Sequence, residues 1–330
     1  MQESLPLVSI IITSYNRAHL ISKAIESALA QDYSNLEIII SDNCSTDDTD
    51  TVIRKYTGDP RVKYSRNAEN IGMIPNFRKA TYELSKGEYI TYVSSDDYLL
   101  DNTFVTDSIR LVNKYDNVVL VYGKMHGLNT ENGILWKMPE EPYFGKEIWE
   151  GKNLFFKSSE GYLLSWGACL MKREAVMAVK GLISDYLCAD IDTNYKMMMD
   201  GNICFLNRFC YLHLGHAGNN GFPTDSKKIL SIMDCYESVA KYALNKMPEE
   251  AAGIKKWEKH FLYFTVKWAF HHLKAKNETQ YKLFKQDVKK TYPAEYRRFI
   301  TSRSYMSVLF QPVKKMLPKK FIDLVKKRNG

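Results

Sequence analysis

The sequence predicts an α/β protein: a parallel sheet with helices on both faces, continued by a basic helical region. Three observations predict it. Runs of β-branched residues alternate with helix-period stretches through the first 125 residues. The polar segments that close those runs carry carboxylates and amides, with neither G-x-G-x-x-G nor G-x-x-x-x-G-K-[ST] among them, so dinucleotide and P-loop readings lose their support. Finally, the charge divides along the chain. Residues 226–330 hold 24 Lys and Arg against 9 Asp and Glu, whereas residues 1–225 hold 22 against 29.

"LPLVSIIIT" (5–13) is a continuous apolar run of the kind buried on both faces of a sheet, and "AHLISKAIESALAQ" (18–31) has apolar residues at helical spacing. "LEIIIS" (36–41) is a second strand. It ends at "DNCSTDDTDTVIRKY", where Ser45, Thr46 and Asp47 offer helix-cap chemistry before an amphipathic stretch. Then follow "RVKYSR" (61–66), a helix over about 74–84, "EYITYV" (88–93), a helix over about 103–115 and "NVVLVYG" (117–123). Such alternation argues for parallel strands crossed by helices.

Residues 124–165 are irregular and rich in Gly, Pro, Trp and Tyr, as a long surface excursion would be. "SWGACLMKREAV" (165–176) reads as a strand entering a helix, "ADIDTNYKMMMDG" (189–201) as a helix closed by Gly201, and "CYLHLGHAGNNG" (210–221) as a strand that breaks into a loop. Beyond Pro223, "KKWEKHFLYFTVKWAFHHLKAK" (255–276) sets Trp257, Phe261, Phe264 and Trp268 on one helical stripe. Leu262, Val266, Ala269 and Leu273 form a second stripe. A face so wide needs a cover: another helix, a second subunit or a bilayer surface. The last stretch, "QPVKKMLPKKFIDLVKKRNG" (311–330), interleaves apolar residues with six Lys and one Arg, as a membrane-surface helix or a solvated basic helix would. The division implies two domains, 1–225 and 226–330.

Composition narrows the class. Apolar content of 45% and charged content of 25% are those of a globular protein. No apolar run approaches the roughly 18 residues of a membrane-spanning helix, and the start, with Glu3 ahead of a short apolar run, does not resemble a secretory signal. The expectation is a cytoplasmic protein, with the basic tail suggesting peripheral contact at the inner face of the cell membrane. Six scattered cysteines without a C-x-x-C pair indicate reduced thiols, not a zinc knuckle or disulfide framework.

Ligands of open α/β sheets bind beyond the carboxyl ends of the strands. The segments there are "TSYNR" (13–17), "SDNCSTDDT" (41–49), "NAENIG" (67–72) and "SSDD" (94–97). Adjacent Asp96 and Asp97 after a strand admit two readings, turn chemistry or a cation site.

In sequence, "VSIIITSYNRAHLISKAIESALAQDYSNLEIIISDNCSTDDT", "NIG" (70–72) and "GEYITYVSSDD" (87–97) resemble glycosyltransferase family 2 over about residues 6–220. The resemblance implies the A-type glycosyltransferase fold, GT-A, a Rossmann-like mixed and mostly parallel sheet. It implies transfer of a sugar from a nucleoside diphosphate sugar, expected to be UDP-linked, to a saccharide or lipid-linked saccharide in surface polysaccharide or glycolipid assembly, with inversion. Thr13, Tyr15, Arg17, Asp42, Asn70 and Asp96 then belong to the nucleotide site. Asp42 would read the base and Asp96 would lie near the ribose. Ser94 replaces the first carboxylate of the family's D-x-D motif, so Asp97 is expected to hold Mn²⁺ or Mg²⁺, with His216 able to reach the cation or phosphate. His213, three residues earlier in the strand, is expected on the other side. The family's acidic pair at a helix start aligns Asp190 as general base, with Ala189 in place of Glu and Asp192 as rival. The irregular 124–165 segment and the loop at Trp166 and Gly167 are expected to shape the pocket for donor and acceptor.

No Q-x-x-R-W signature of processive synthases is present, so single or few additions are expected. Two alternatives stand beside this reading: a sugar nucleotidyltransferase, whose Gly-rich first loop is missing after "VSIIIT", and a catalytically silent nucleotide-sugar-binding scaffold, which Ser94 and Ala189 would suit. The tail admits an anionic membrane surface or a homo-oligomer as partner. Nucleic acid is not expected.

Overall fold

The computed structural model describes residues 5–137, 142–160, 166–184, 187–216 and 223–309. It contains two compact units, Met1–Asn219 and Asn220–Gly330.

The first unit begins with the predicted alternation: β1 (Val8–Ser14), α1 (Ile21–Leu29), β2 (Leu36–Asp42), α2 (Thr49–Arg54), β3 (Val62–Arg66), α3 (Met73–Lys79) continued by a π turn, β4 (Tyr89–Ser94), the short β5 (Tyr98–Leu99), and α4 (Phe104–Lys114). Every residue of β1 from Val8 to Ile12 is buried, as a strand covered on both faces requires. Ile10, Ile12, Ile38 and Ile40 join one core with Ile21, Ala24, Ile25 and Ala28 of α1, whose spacing makes a single helical face, and with Phe104, Val105 and Ile109 of α4.

The unit continues through β6 (Val118–Asn129), β7 (Leu135–Lys137), β8 (Ile148–Glu150), α5 (Gly151–Lys157), β9 (Cys169–Lys172), α6 (Arg173–Ala178), α7 (Ala189–Met198) and β10 (Asn202–Gly215). Sheet order is β3-β2-β1-β4-β9-β6-β10-β5, with β7 on β6 and β8 on β10. β1 to β4 pair in parallel, β9 runs antiparallel between β4 and β6, and β10 returns parallel to β6. The segment expected to be irregular over 124–165 therefore contains the end of β6, its β7 partner, β8 and α5. β6 carries on because β10 hydrogen-bonds it as far as Asn129↔Gly215, which local composition could not announce. β10 likewise starts eight residues before the predicted strand, and register shifts between Leu206 and Tyr211 mark a bulge.

The second unit holds α8 (Ser226–Lys246), α9 (Ala251–Lys276), α10 (Glu278–Thr291), α11 (Pro293–Ile300) and α12 (Arg303–Leu309). α9 is its spine. Trp257 and Phe261 pack on Tyr236 of α8, and Phe270 meets Phe284 of α10 and Phe299 of α11. Leu262, Val266, Ala269 and Leu273 are buried, so helices of the same unit cover most of the apolar face. The Trp257–Trp268 stripe divides instead: Phe264 is 46% exposed. Among the described residues, no helix is long and apolar enough to cross a membrane. The expectation for 311–330 lies outside the described residues.

Candidate active site

Parallel pairing brings the carboxyl ends of the first strands into line, with Ser14 opposite Asp42 and Thr13 opposite Ser94. The loops that follow are laced together. Asn16, in the left-handed region at φ 53°, donates its N–H to Ser45 Oγ (2.8 Å) and accepts from the N–H of Thr46 at Oδ1 (2.8 Å). The Arg17 N–H donates to Thr49 Oγ1 (2.9 Å), and that of Ala18 to Asp47 Oδ2 (3.1 Å). Tyr15, at the crest, is 41% exposed and presents its ring outward.

Asp42 closes β2 as expected, but its carboxylate is 0% exposed. It accepts from the Ser45 hydroxyl and N–H (3.2 Å), and Arg66 Nε lies 3.3 Å away. Asn70 Oδ1 accepts from Asn43 Nδ2 (2.7 Å) and the Gly72 N–H (3.0 Å). Asn43 in turn takes Asn67 Nδ2 and the Ile71 N–H, each at 3.0 Å. An amide network thus shapes the loop where the sequence showed only "NAENIG".

Asp96 and Asp97 point to different neighbours. Asp97, 4% exposed, accepts from Tyr211 OH (2.9 Å) and the Leu214 N–H (2.8 Å), with His213 Nδ1 3.1 Å from Oδ1 and 3.2 Å from Oδ2. The hydrogen bond to Asp97 raises the His213 pKa above the ordinary imidazole value. Burial, then Asp97, raises Tyr211 well above the usual phenol range. Asp96 Oδ2 lies 3.0 Å from His216 Nε2 and 3.6 Å from Arg17 Nε. The sequence expectation therefore needs two corrections. Asp97, expected to hold the cation, is spent on strand β10, because three donors converge on its two oxygens. His213, expected on the far side, reaches that same carboxylate, because Tyr211 and His213 alternate onto the face that meets the β4 turn. His216 escapes the alternation by lying beyond Gly215, where the strand has ended.

Asp96 and His216 suit a hard divalent cation: one carboxylate and one imidazole facing each other at a strand-end rim, with phosphates and water to complete the shell. Among the described residues there is no cluster of three or more His, Cys, Asp or Glu able to hold a metal without such outside ligands.

The two acids of α7 separate as well. Asp192 is 4% exposed and pairs with Lys196 one turn on (Nζ–Oδ2 2.8 Å), leaving Oδ1 buried without a hydrogen bond. Asp190 sits in the first turn, and burial pushes its carboxyl up to about 6. One turn beyond it, Asn194 Oδ1 accepts from Trp166 Nε1 (3.2 Å). The Trp166 ring stacks on Tyr92 (4.5 Å) and meets Phe77 edge-on (5.6 Å). Helical spacing thus puts Asp190 and Asn194 on one side, toward Trp166, and Asp192 with Lys196 on another. A Cβ on Gly167 would lie 2.3 Å from Met125 Cε and 3.3 Å from Tyr211 Cε1, so this position admits no side chain without a shift of Met125.

Sequence reasoning missed Arg66, Asn194, Tyr211 and the role of His213. Only the Tyr-x-His alternation in "CYLHLGH" signalled any of them in advance.

Comparison with known proteins decides the family. The profile described as Glycosyl transferase family 2 matches residues 9–179, just over half of the chain. The chain belongs to glycosyl transferase family 2. A UDP-Glc:alpha-D-GlcNAc-diphosphoundecaprenol beta-1,3-glucosyltransferase of Escherichia coli is 45% identical over 92 residues, 28% of this chain and 36% of that protein. In eight of the curated relatives matched, the aligned part covers between 21% and 53% of the relative's length. Staphylococcus aureus TarS 1–349 in complex with UDP-GlcNAc superposes with a TM-score of 0.67 at 18% identity, covering 93% of this chain and 88% of that one. A Pyrobaculum calidifontis mannosyltransferase in complex with GDP-Man and Mn²⁺ gives 0.53 at 17%, covering 96% and 89%. The family member described here has the GT-A fold: a mixed, mostly parallel sheet flanked by helices, with a helical region after it.

Proposed function

We propose that the chain is an inverting, non-processive glycosyltransferase that moves one sugar from a UDP-linked donor to a saccharide or lipid-linked saccharide acceptor. The observation that carries this reading is the presence in one unit of two prepared sites: a carboxylate–imidazole pair at the β4 rim and a desolvated carboxylate at the start of α7. The UDP-GlcNAc complex of a protein sharing the fold supports a UDP donor, and the undecaprenol-linked acceptor named for the E. coli relative supports a lipid-linked one.

Transfer breaks the bond between the anomeric carbon and a phosphate oxygen, so the departing diphosphate gains negative charge. Asp96 and His216 would hold Mn²⁺ or Mg²⁺, which when bound supplies positive charge to that leaving group; the Mn²⁺ complex of a fold neighbour is in keeping with this. Arg17, on a loop fixed by Thr49, adds a guanidinium at the same rim. Tyr15 offers its exposed ring to the base, and Thr13 and Asn70 line the approach. Asp42, held by Ser45 and Arg66, supports that loop and reaches a base only if Ser45 or Arg66 yields. On the other side Asp190 takes the proton of the attacking hydroxyl, a task suited to a carboxyl near 6, which is ionised at neutral pH yet more basic than a solvated aspartate. Trp166 and Gly167 form the wall beside it. The test is sugar release from a UDP-sugar panel with and without Mn²⁺. Metal-dependent hydrolysis or transfer supports the reading, pyrophosphate-dependent chemistry supports a nucleotidyltransferase, and binding without turnover supports a silent scaffold.

We propose also that the second unit touches anionic lipid at the cytoplasmic leaflet. Exposed Phe264 shares the outer side of α9 with exposed Lys256 and Lys267, and Arg298 of α11 lies over the Tyr263 ring at 4.0 Å. Each Lys or Arg near such a surface contributes about 1 kcal/mol.

A further inference from the structure

Asp96 presents one oxygen, Oδ2, to both neighbours: His216 Nε2 at 3.0 Å and Arg17 Nε at 3.6 Å. Both side chains are largely withdrawn from water, with 22% of Arg17 and 13% of Asp96 exposed. The backbone of Arg17 cannot retreat, since its N–H is held by Thr49 and Asn16 is tied to Ser45 and Thr46. The side chain also donates from Nη1 to the Asn16 carbonyl at 3.2 Å. A guanidinium therefore stands where a cation bound by Asp96 and His216 would meet it at close range, and two positive charges in a poorly solvated pocket repel.

We propose that Arg17 is the resident counter-cation of Asp96, competing with Mn²⁺ or Mg²⁺ for that carboxylate until a nucleoside diphosphate draws the guanidinium away. This rests on the assignment of the cation to Asp96 and His216. The diphosphate accepts bidentate hydrogen bonds from a guanidinium and carries the charge that lets guanidinium and metal coexist. Metal and nucleotide then bind with positive coupling, each raising the other's affinity by the same factor. The protein avoids loading a metal before its donor arrives.

The experiment titrates the full chain with MnCl₂, following the electron paramagnetic resonance of free Mn²⁺, alone and with saturating UDP. Arg17→Gln is expected to bind Mn²⁺ alone about fivefold or more tighter than the unchanged protein, the low end of ordinary coupling. Its gain in Mn²⁺ affinity on adding UDP should be smaller by a like factor. Arg17→Lys keeps the charge and should bind Mn²⁺ alone about as weakly as the unchanged protein does. Asp96→Asn should lose Mn²⁺ binding in either background, with thermal melting confirming that it folds. If Asp96→Asn loses Mn²⁺ while Arg17→Gln binds it no tighter, the competition is overturned and the metal site stands. If Asp96→Asn still binds Mn²⁺ normally, the metal assignment falls and the competition falls with it.

Discussion

The turn after β4 and the first turn of α7 each present two carboxylates, and each divides them in the same way. At the β4 turn Asp97 is anchored by Tyr211, His213 and Leu214, while its neighbour Asp96 faces Arg17 and His216. On α7 Asp192 is anchored by Lys196, while Asp190 lies toward Trp166 and is desolvated. The difference lies in what surrounds the outward acid. Asp96 is bracketed by a guanidinium and an imidazole, which stabilise its negative charge. Asp190 accepts hydrogen bonds from backbone N–H groups, at Ile191 and within its own residue, but burial outweighs them and lifts its carboxyl to about 6. In both places one acid is anchored by a nearby set of side chains and its close neighbour in sequence meets a different set, so proximity in sequence says little about shared surroundings.

The comparison breaks first at Asp190. Asp190→Asn should lower turnover by about 10²–10⁴-fold while UDP binding by calorimetry is unchanged. If Asp192→Asn does this and Asp190→Asn does not, the two acids of α7 exchange roles. Turnover should also fall as pH drops through about 6, because protonated Asp190 cannot accept the hydroxyl proton. Stability follows the opposite sign. With a folded value of about 6 against an ordinary 3.8, protonated Asp190 favours the fold fully below about 4, and this contribution is lost as pH rises through about 6. Asp190→Asn should therefore stabilise the protein at pH 8, by about 1–3 kcal/mol in urea unfolding, with little gain at pH 4.

Asp97→Asn sharpens the other half. It should cost about 2–4 kcal/mol of stability with or without Mn²⁺, since it leaves converging donors mispaired; a loss seen only when metal is present would return the cation to Asp97. Smaller again is Gly167→Ala, expected to cost about 1 kcal/mol or less, since it crowds the flexible end of Met125. Met125→Ala in the same chain should recover much of that, and no recovery would mean that the backbone around Ala168, at φ 50°, sets the cost. The smallest effect is expected at Lys267. Lys267→Glu should reduce co-sedimentation with phosphatidylglycerol vesicles by several-fold at low salt, given about 1 kcal/mol per basic residue. Loss of dimerisation without any change in vesicle binding would count for a subunit interface instead.

Strands and helices up to Val118, apart from the two-residue β5 that pairs with β10, were legible because each stands alone as a periodic stretch: the five buried residues Val8–Ile12 and the Ile21–Ala28 face of α1 declare themselves. The stretch 124–165 was not, because the end of β6 and β8 owe their extended form to β10, far along the chain, and β7 to the part of β6 so extended. The rim was legible as a set of loops; the division of labour within it was not. Which of two adjacent carboxylates is anchored depends on where Tyr211 and His213 fall, and that depends on the register of a strand more than a hundred residues later. The cover of α9 was open in the sequence for a similar reason, since its apolar face names no partner until α8, α10 and α11 are seen against it.

The bulge between Leu206 and Tyr211 makes the site sensitive to length rather than to composition. Asn207, within it, is exposed, and its identity is of little consequence to the fold. Its presence is another matter: removing one residue there would rotate everything downstream by half a pleat, turning Tyr211 and His213 away from Asp97 and bringing Leu212 toward it. Substitutions in this short stretch should accordingly be tolerated where a single deletion is not, as with a gear that accepts wear on any tooth but cannot lose one.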